Sequence, residues 1–135
     1  MKIALDTNVL ISGFLSVTGP CQHIIKLSVK RHAVILSEYI LEEFERKLSQ
    51  KFEIPAEDIC AILDHLRNRT LILEVSDNPG IAFPDVKDIP ILNLLEVAKA
   101  HYFITGDKEL LALKKWKQTL ILNPREAMEI LVNGL

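Results

Sequence analysis

Short apolar runs spaced by stretches long enough for helices constrain this chain more than any other feature. Ile3–Leu5, Ala33–Leu36, Leu71–Val75, Tyr102–Thr105 and Thr119–Leu122 read as strands. Ile3–Leu5, Ala33–Leu36 and Thr119–Leu122 are continuously apolar rather than alternating, as strands covered on both faces are. Between the runs lie amphipathic segments. Ser37 is placed to cap a helix with Ile40, Leu41, Phe44 and Leu48 on its inner stripe, and Pro55-Ala56-Glu57-Asp58 opens another with Ile59, Ile62, Leu63 and Leu66 inward. A helix holding Ile24, Ile25 and Leu27 on one side follows the Gly19-Pro20 break. Asp77-Asn78-Pro79-Gly80 is a turn, and the next helix must start near Asp88 because Pro90 cannot sit deep inside it. Gly106-Asp107 leads into a helix over Lys108–Trp116, and a closing helix follows Asn123-Pro124 with Ala127, Ile130 and Leu131 inward. Strands joined by such crossovers imply a parallel sheet with helices on both faces. The expected fold is a three-layer α/β/α sandwich with four to five central strands, formed as one domain over residues 1–135.

Composition narrows the function. With 16 Lys+Arg against 18 Asp+Glu the formal charge is −2, which excludes a domain that grips phosphates by a large cationic surplus. Cys21 and Cys60 lie in no CxxC pair, so a disulfide framework and a zinc site are not expected. The stretch from Thr7 to Ile25 lacks charge but is broken by Asn8, Ser12, Gly13, Pro20 and other polar or turn residues, so a membrane span is not expected, and Asp6 follows Lys2 too closely for a signal peptide's apolar region. The expected location is the cytoplasm.

Ligands of open parallel sheets bind beyond the carboxyl ends of the strands. Two strands end in an acid there, at Asp6-Thr7-Asn8 and at Thr105-Gly106-Asp107. Asp85 and Asp88 lie on one face at a helix start near the same rim, and Glu42 and Glu43 follow Ser37 within a turn or two. Each acid alone also suits a helix N-terminus. Gathered together they repel, by roughly 4 kcal/mol for a pair about 4 Å apart, and must take up protons or a cation. Oxygen donors without a His or Cys cluster suit Mg²⁺ or Mn²⁺, and one or two such ions suit phosphodiester hydrolysis. No P-loop, GxGxxG, HExxH or GxSxG pattern is present, and His23, His32, His65 and His101 are scattered.

These residues resemble a known family. Met1-Lys2-Ile3-Ala4-Leu5-Asp6-Thr7-Asn8-Val9-Leu10 is similar to the opening of PIN-domain ribonucleases, and Ser37–Leu48 resembles their second motif. Asp85-Val86-Lys87-Asp88 with Ile91-Leu92 resembles the third, and Ile104–Leu111 the fourth. The resemblance implies metal-binding and catalytic carboxylates at Asp6, Glu43, Asp88 and Asp107. Asp85 becomes an outer acid, Asn8 orients Asp6, and Thr105 holds a carboxylate or the scissile phosphate. Helical periodicity leaves Glu42 and Glu43 equivalent; the choice of Glu43 comes from the resemblance alone. Ile89 stands where many relatives carry a polar residue.

The resemblance further implies an endoribonuclease using Mg²⁺ or Mn²⁺, in the small subgroup of toxins held by an antitoxin protein, with RNA as substrate and a homodimer or higher oligomer as its state. Basic residues cluster at Lys26-Lys30-Arg31, Arg46-Lys47-Lys51 and Lys114-Lys115-Lys117; Arg46 and Lys47, just after Glu43, are the candidates for the substrate backbone. Trp116 and Phe103 are more readily packing residues than stacking platforms. Two other readings stay open. Asp6 could be a phosphoaccepting nucleophile, although Asn8 breaks the DxD pair of aspartyl phosphatases. The fold could also serve as a non-catalytic module binding RNA or protein.

Overall fold

A computed structural model describes residues 1–16, 18–75 and 88–133. In chain order the elements are β1 (Lys2–Leu5), α1 (Thr7–Leu15), α2 (Cys21–Arg31), β2 (Ala33–Ser37), α3 (Glu38–Gln50), α4 (Ala56–Arg69) and β3 (Leu71–Leu73). They continue as α5 (Ile89–Ala98), β4 (Tyr102–Ile104), α6 (Lys108–Leu113), β5 (Lys115–Trp116), β6 (Thr119–Leu122) and α7 (Pro124–Val132). The strands form one sheet in the order β3-β2-β1-β4-β6-β5. The pairs β1–β2, β1–β4, β2–β3 and β4–β6 are parallel. The chain therefore builds outward from β1 in one direction and then returns to its other side, which puts the topological switch point between β1 and β4.

The sequence accounts for the core directly. Ile3, Ala4, Leu5, Val34, Ile35, Leu36, Phe103 and Ile104 are all buried, as strands under two helical layers require. Ile40, Leu41, Phe44 and Leu48 are the buried residues of α3, the stripe its periodicity implies. On α2 and α4 the inner faces are narrower than the pattern suggests. Leu27, Ile62 and Leu63 are only half-buried, as is Ile130 on α7. α1 and α2 approach so closely that a Cβ on Gly13 would overlap the Ile25 side chain.

One expectation fails. The segment Lys108–Trp116 is not one helix: α6 stops at Leu113, Lys114 takes a φ of 59°, and Lys115–Trp116 turns back antiparallel to β6. The sheet thus has a sixth, two-residue strand beyond the expected four to five. A Lys at positive φ ends the helix where Gly is the usual choice, so no residue type signals the stop. The turn expected at Asp77–Gly80 and the acid Asp85 lie outside the described residues.

Ser37 ends β2 and caps α3, its Oγ accepting the Ile40 N–H at 3.1 Å. Ser37→Ala leaves that buried N–H without its acceptor and is expected to cost about 1 kcal/mol, read as a lower midpoint in urea unfolding with unchanged slope.

Candidate functional site

The switch point between β1 and β4 opens into a cavity of about 190 Å³ lined by Asp6, Asn8, Glu43, Lys47, Asp88, Ile91 and Asp107. Four separate elements bring the acids there. Asp6 follows β1 and caps α1, Asp107 follows β4 and caps α6, Asp88 stands at the cap position of α5, and Glu43 lies in the second turn of α3. The backbone locks the two strand ends together. Asp6 N–H donates to the Ile104 carbonyl at 3.0 Å, and Thr105 N–H to that of Leu122 at 3.0 Å.

Asp6 is the most constrained acid. Its side chain is buried, with Oδ1 accepting from Thr7 N–H at 2.8 Å and Oδ2 from the Thr105 hydroxyl at 2.6 Å. The Thr105 oxygen in turn accepts the Asp107 N–H at 3.0 Å. One hydroxyl therefore ties both acid-bearing strand ends together. Burial pushes the Asp6 carboxyl above its ordinary value; the two hydrogen bonds pull it down, and the charges of Glu43 and Asp107 add to the rise. Asp88 is also buried, whereas Glu43 and Asp107 are half-buried and open to the cavity. Asp107 accepts from Glu109 N–H at 2.9 Å.

Asn8, expected to orient Asp6, instead has its Oδ1 on Gly106 N–H at 3.2 Å, so it fixes the loop after β4. Glu42 and Glu43 are no longer equivalent. Glu42 is exposed and faces a neighbouring cavity with Ser37, Tyr39 and Glu74, while Glu43 faces Asp6. Periodicity could not separate them because both lie off the apolar stripe; the cap at Ser37 sets the rotation that does. Lys47 lines the acid cavity and pairs with Glu43 Oε1 at 3.3 Å, and Arg46 is exposed beside it on α3. The i, i+4 spacing of Glu43 and Lys47 was the available signal for that pair. Ile91, an apolar wall, had none. Phe103 is fully buried and Trp116 half-buried, so Phe103 is packing. Burial also raises the Tyr39 phenol, and the charges of Glu43, Asp88 and Asp6 add to it, which places that ring at the rim of the acidic field.

Among the described residues no three carboxylates, histidines or cysteines stand close enough together to hold a metal ion as they are placed. The acids instead surround a space. That arrangement fits Mg²⁺ or Mn²⁺ in its donors, which are all oxygens around the cavity, because such ions keep several waters and take only one or two carboxylates directly. Asp6, whose charge burial disfavours, would regain it beside a cation.

A PIN domain family model matches residues 2–109. The chain belongs to the PIN domain family. Members of that family are typically nucleases. Among solved structures, this PIN chain is similar to a crystal structure of VapBC2 from Rickettsia felis bound to a DNA fragment from its promoter. The match has a TM-score of 0.65 at 17% identity and covers 91% of this chain and 98% of the other, which establishes a shared fold. No curated protein sequence matches. Among the described residues no helix of this PIN domain is long and apolar enough to cross a membrane.

Proposed function

We propose that the chain is a Mg²⁺- or Mn²⁺-dependent endoribonuclease whose site is the cavity of Asp6, Glu43, Asp88 and Asp107, and that it acts in the cytoplasm as the toxin of a toxin–antitoxin pair. The observation that carries this reading is the juxtaposition itself. A buried Asp6, held by Thr7 and Thr105, shares one cavity with three further carboxylates from three other elements, in a PIN domain. The toxin assignment is supported by the fold shared with the VapBC2 structure, and an antitoxin protein is the corresponding partner. A homodimer is the proposed assembly, and Asp85 the outer acid.

Asp6, Glu43, Asp88 and Asp107 would hold the ion, which when bound activates water and offsets charge developing on the phosphodiester. The protein's own share is positional. Thr105 fixes the Asp6 carboxylate in one rotamer and, through the Asp107 N–H, sets the distance between the two strand-end acids. Asn8 pins the loop that carries Asp107. Arg46 and Lys47, on the helix that presents Glu43, supply the cations for the substrate backbone in a chain whose net charge is −2. Ile91 gives the cavity an apolar wall.

Cleavage of a labelled single-stranded RNA tests this. Cutting in Mn²⁺ should stop with a chelator. Glu43→Gln should slow it by about a hundredfold or more, the scale on which metal-site partners act, while Glu42→Gln stays near the parent rate. Silencing by Glu42→Gln instead would overturn the assignment of α3, and a parent that neither binds Mn²⁺ nor cuts RNA would leave a non-catalytic binding module.

A further inference from the structure

Lys47 is the single cation lining the acid cavity among the described residues, and its ammonium rests on the Glu43 carboxylate at 3.3 Å. The pair spans one turn of α3 with the acid on the N-terminal side, the favourable order for an i, i+4 contact. Its side chains are 39% and 23% exposed respectively, so Lys47 leans in from the rim while Glu43 is more enclosed. A Lys stem is long and freely rotating, and a half-exposed pair of this kind holds only weakly. The ammonium thus neutralises part of a four-acid cavity and can leave without disturbing the helix.

We propose that Lys47 is an internal counter-ion that competes with the divalent ion for Glu43, and that its ammonium turns toward the substrate phosphates once displaced. This rests on the metal-dependent reading above. Two cations cannot both sit against one carboxylate without repelling, so occupancy by the ion releases the lysine. The released ammonium remains tethered at the cavity mouth, where the phosphodiester must approach. The consequence is a coupling: the ion frees the group that helps to hold RNA, and Lys47 costs the protein some metal affinity in return.

The test is calorimetric titration of Mn²⁺ into the parent, Lys47→Met and Lys51→Met, with no RNA present. Lys51 is exposed at the C-terminal end of α3, beside the Phe52 ring, and its replacement controls for net charge. Lys47→Met should bind Mn²⁺ about three- to tenfold more tightly, while Lys51→Met matches the parent. Binding of a short RNA analogue with a non-cleavable backbone to the Mn²⁺-loaded protein should weaken when Lys47→Met is introduced. Equal or weaker Mn²⁺ binding by a folded Lys47→Met overturns the competition while leaving the nuclease reading intact. A parent that binds no Mn²⁺ at millimolar concentration overturns both. RNA binding that is unchanged by Lys47→Met removes the second role.

Discussion

Asp6→Asn is expected to cripple RNA cleavage, by about a hundredfold or more, in a protein that melts no earlier than the parent at neutral pH. The loss follows from removing one of the two buried charges of the site, the one held by Thr7 and Thr105. The retained stability follows from the same burial. A carboxyl whose folded value lies above its ordinary 3.8 binds its proton more tightly when folded, so its contribution to stability falls as pH rises through that raised range. The penalty of a charged, desolvated Asp6 beside Glu43 and Asp107 grows as pH rises. Asparagine keeps an acceptor for Thr7 N–H and removes the charge. The stability difference in favour of the variant should therefore shrink as pH is lowered, which thermal melts across a pH series would read. Mn²⁺ should raise the melting temperature of the parent, by the equivalent of about 2.7 kcal/mol at a hundred times its dissociation constant, and leave Asp6→Asn nearly unmoved. A variant that still cuts at the parent rate would dismiss Asp6 from the site. One that is unfolded would show that its hydrogen bonds outweigh its charge.

Phe44→Ala should produce the largest loss of stability, about 3–5 kcal/mol. The ring is wholly buried and stands 5.9 Å from that of Phe14, tilted at 48°, so it joins α3 to α1. A domain of this size has about 5–15 kcal/mol of net stability, so the variant should unfold at much lower urea with an unchanged slope. The effect reaches the site because Phe44 and Glu43 are adjacent. The anchor that buries one fixes the rotation that aims the other at Asp6. Phe44→Leu refills most of the volume and should recover most of the stability. A loss below about 1 kcal/mol for Phe44→Ala would mean that α3 is anchored elsewhere.

Which features were legible in the chain follows from where the information resides. β6 was visible to the residue and β2 nearly so, because both are short β-rich runs bounded by turn and helix signals, and β2 is apolar from Ala33 to Leu36 where it lies under the helices. Asp6 and Asp107 were visible as acids at strand ends, since a parallel sheet presents those ends to one rim. Glu43 could not be chosen over Glu42 by pattern, because one residue is a rotation of 100° and the pattern fixes only the buried side. The stop of α6 was hidden for a different reason. Lys114 and Lys117 both adopt positive φ, 59° and 54°, with no glycine to announce it, and only the pairing with β6 recompenses that backbone. The bond from Asn8 to Gly106 joins residues 98 apart in sequence, a distance at which local spacing carries no information.

That small antiparallel ribbon bears on how molecules of this protein can meet. At one margin of the sheet the outermost ladder is two residues long and begins with a lysine; at the other, Leu71–Leu73 offers three. Among the described residues neither margin gives an incoming chain enough unpaired amides to add a strand, and a lysine beside one of them discourages it further. Self-association by extension of the described strands is thereby disfavoured, so sheet pairing would not compete for the mouth between Asp6 and Asp107.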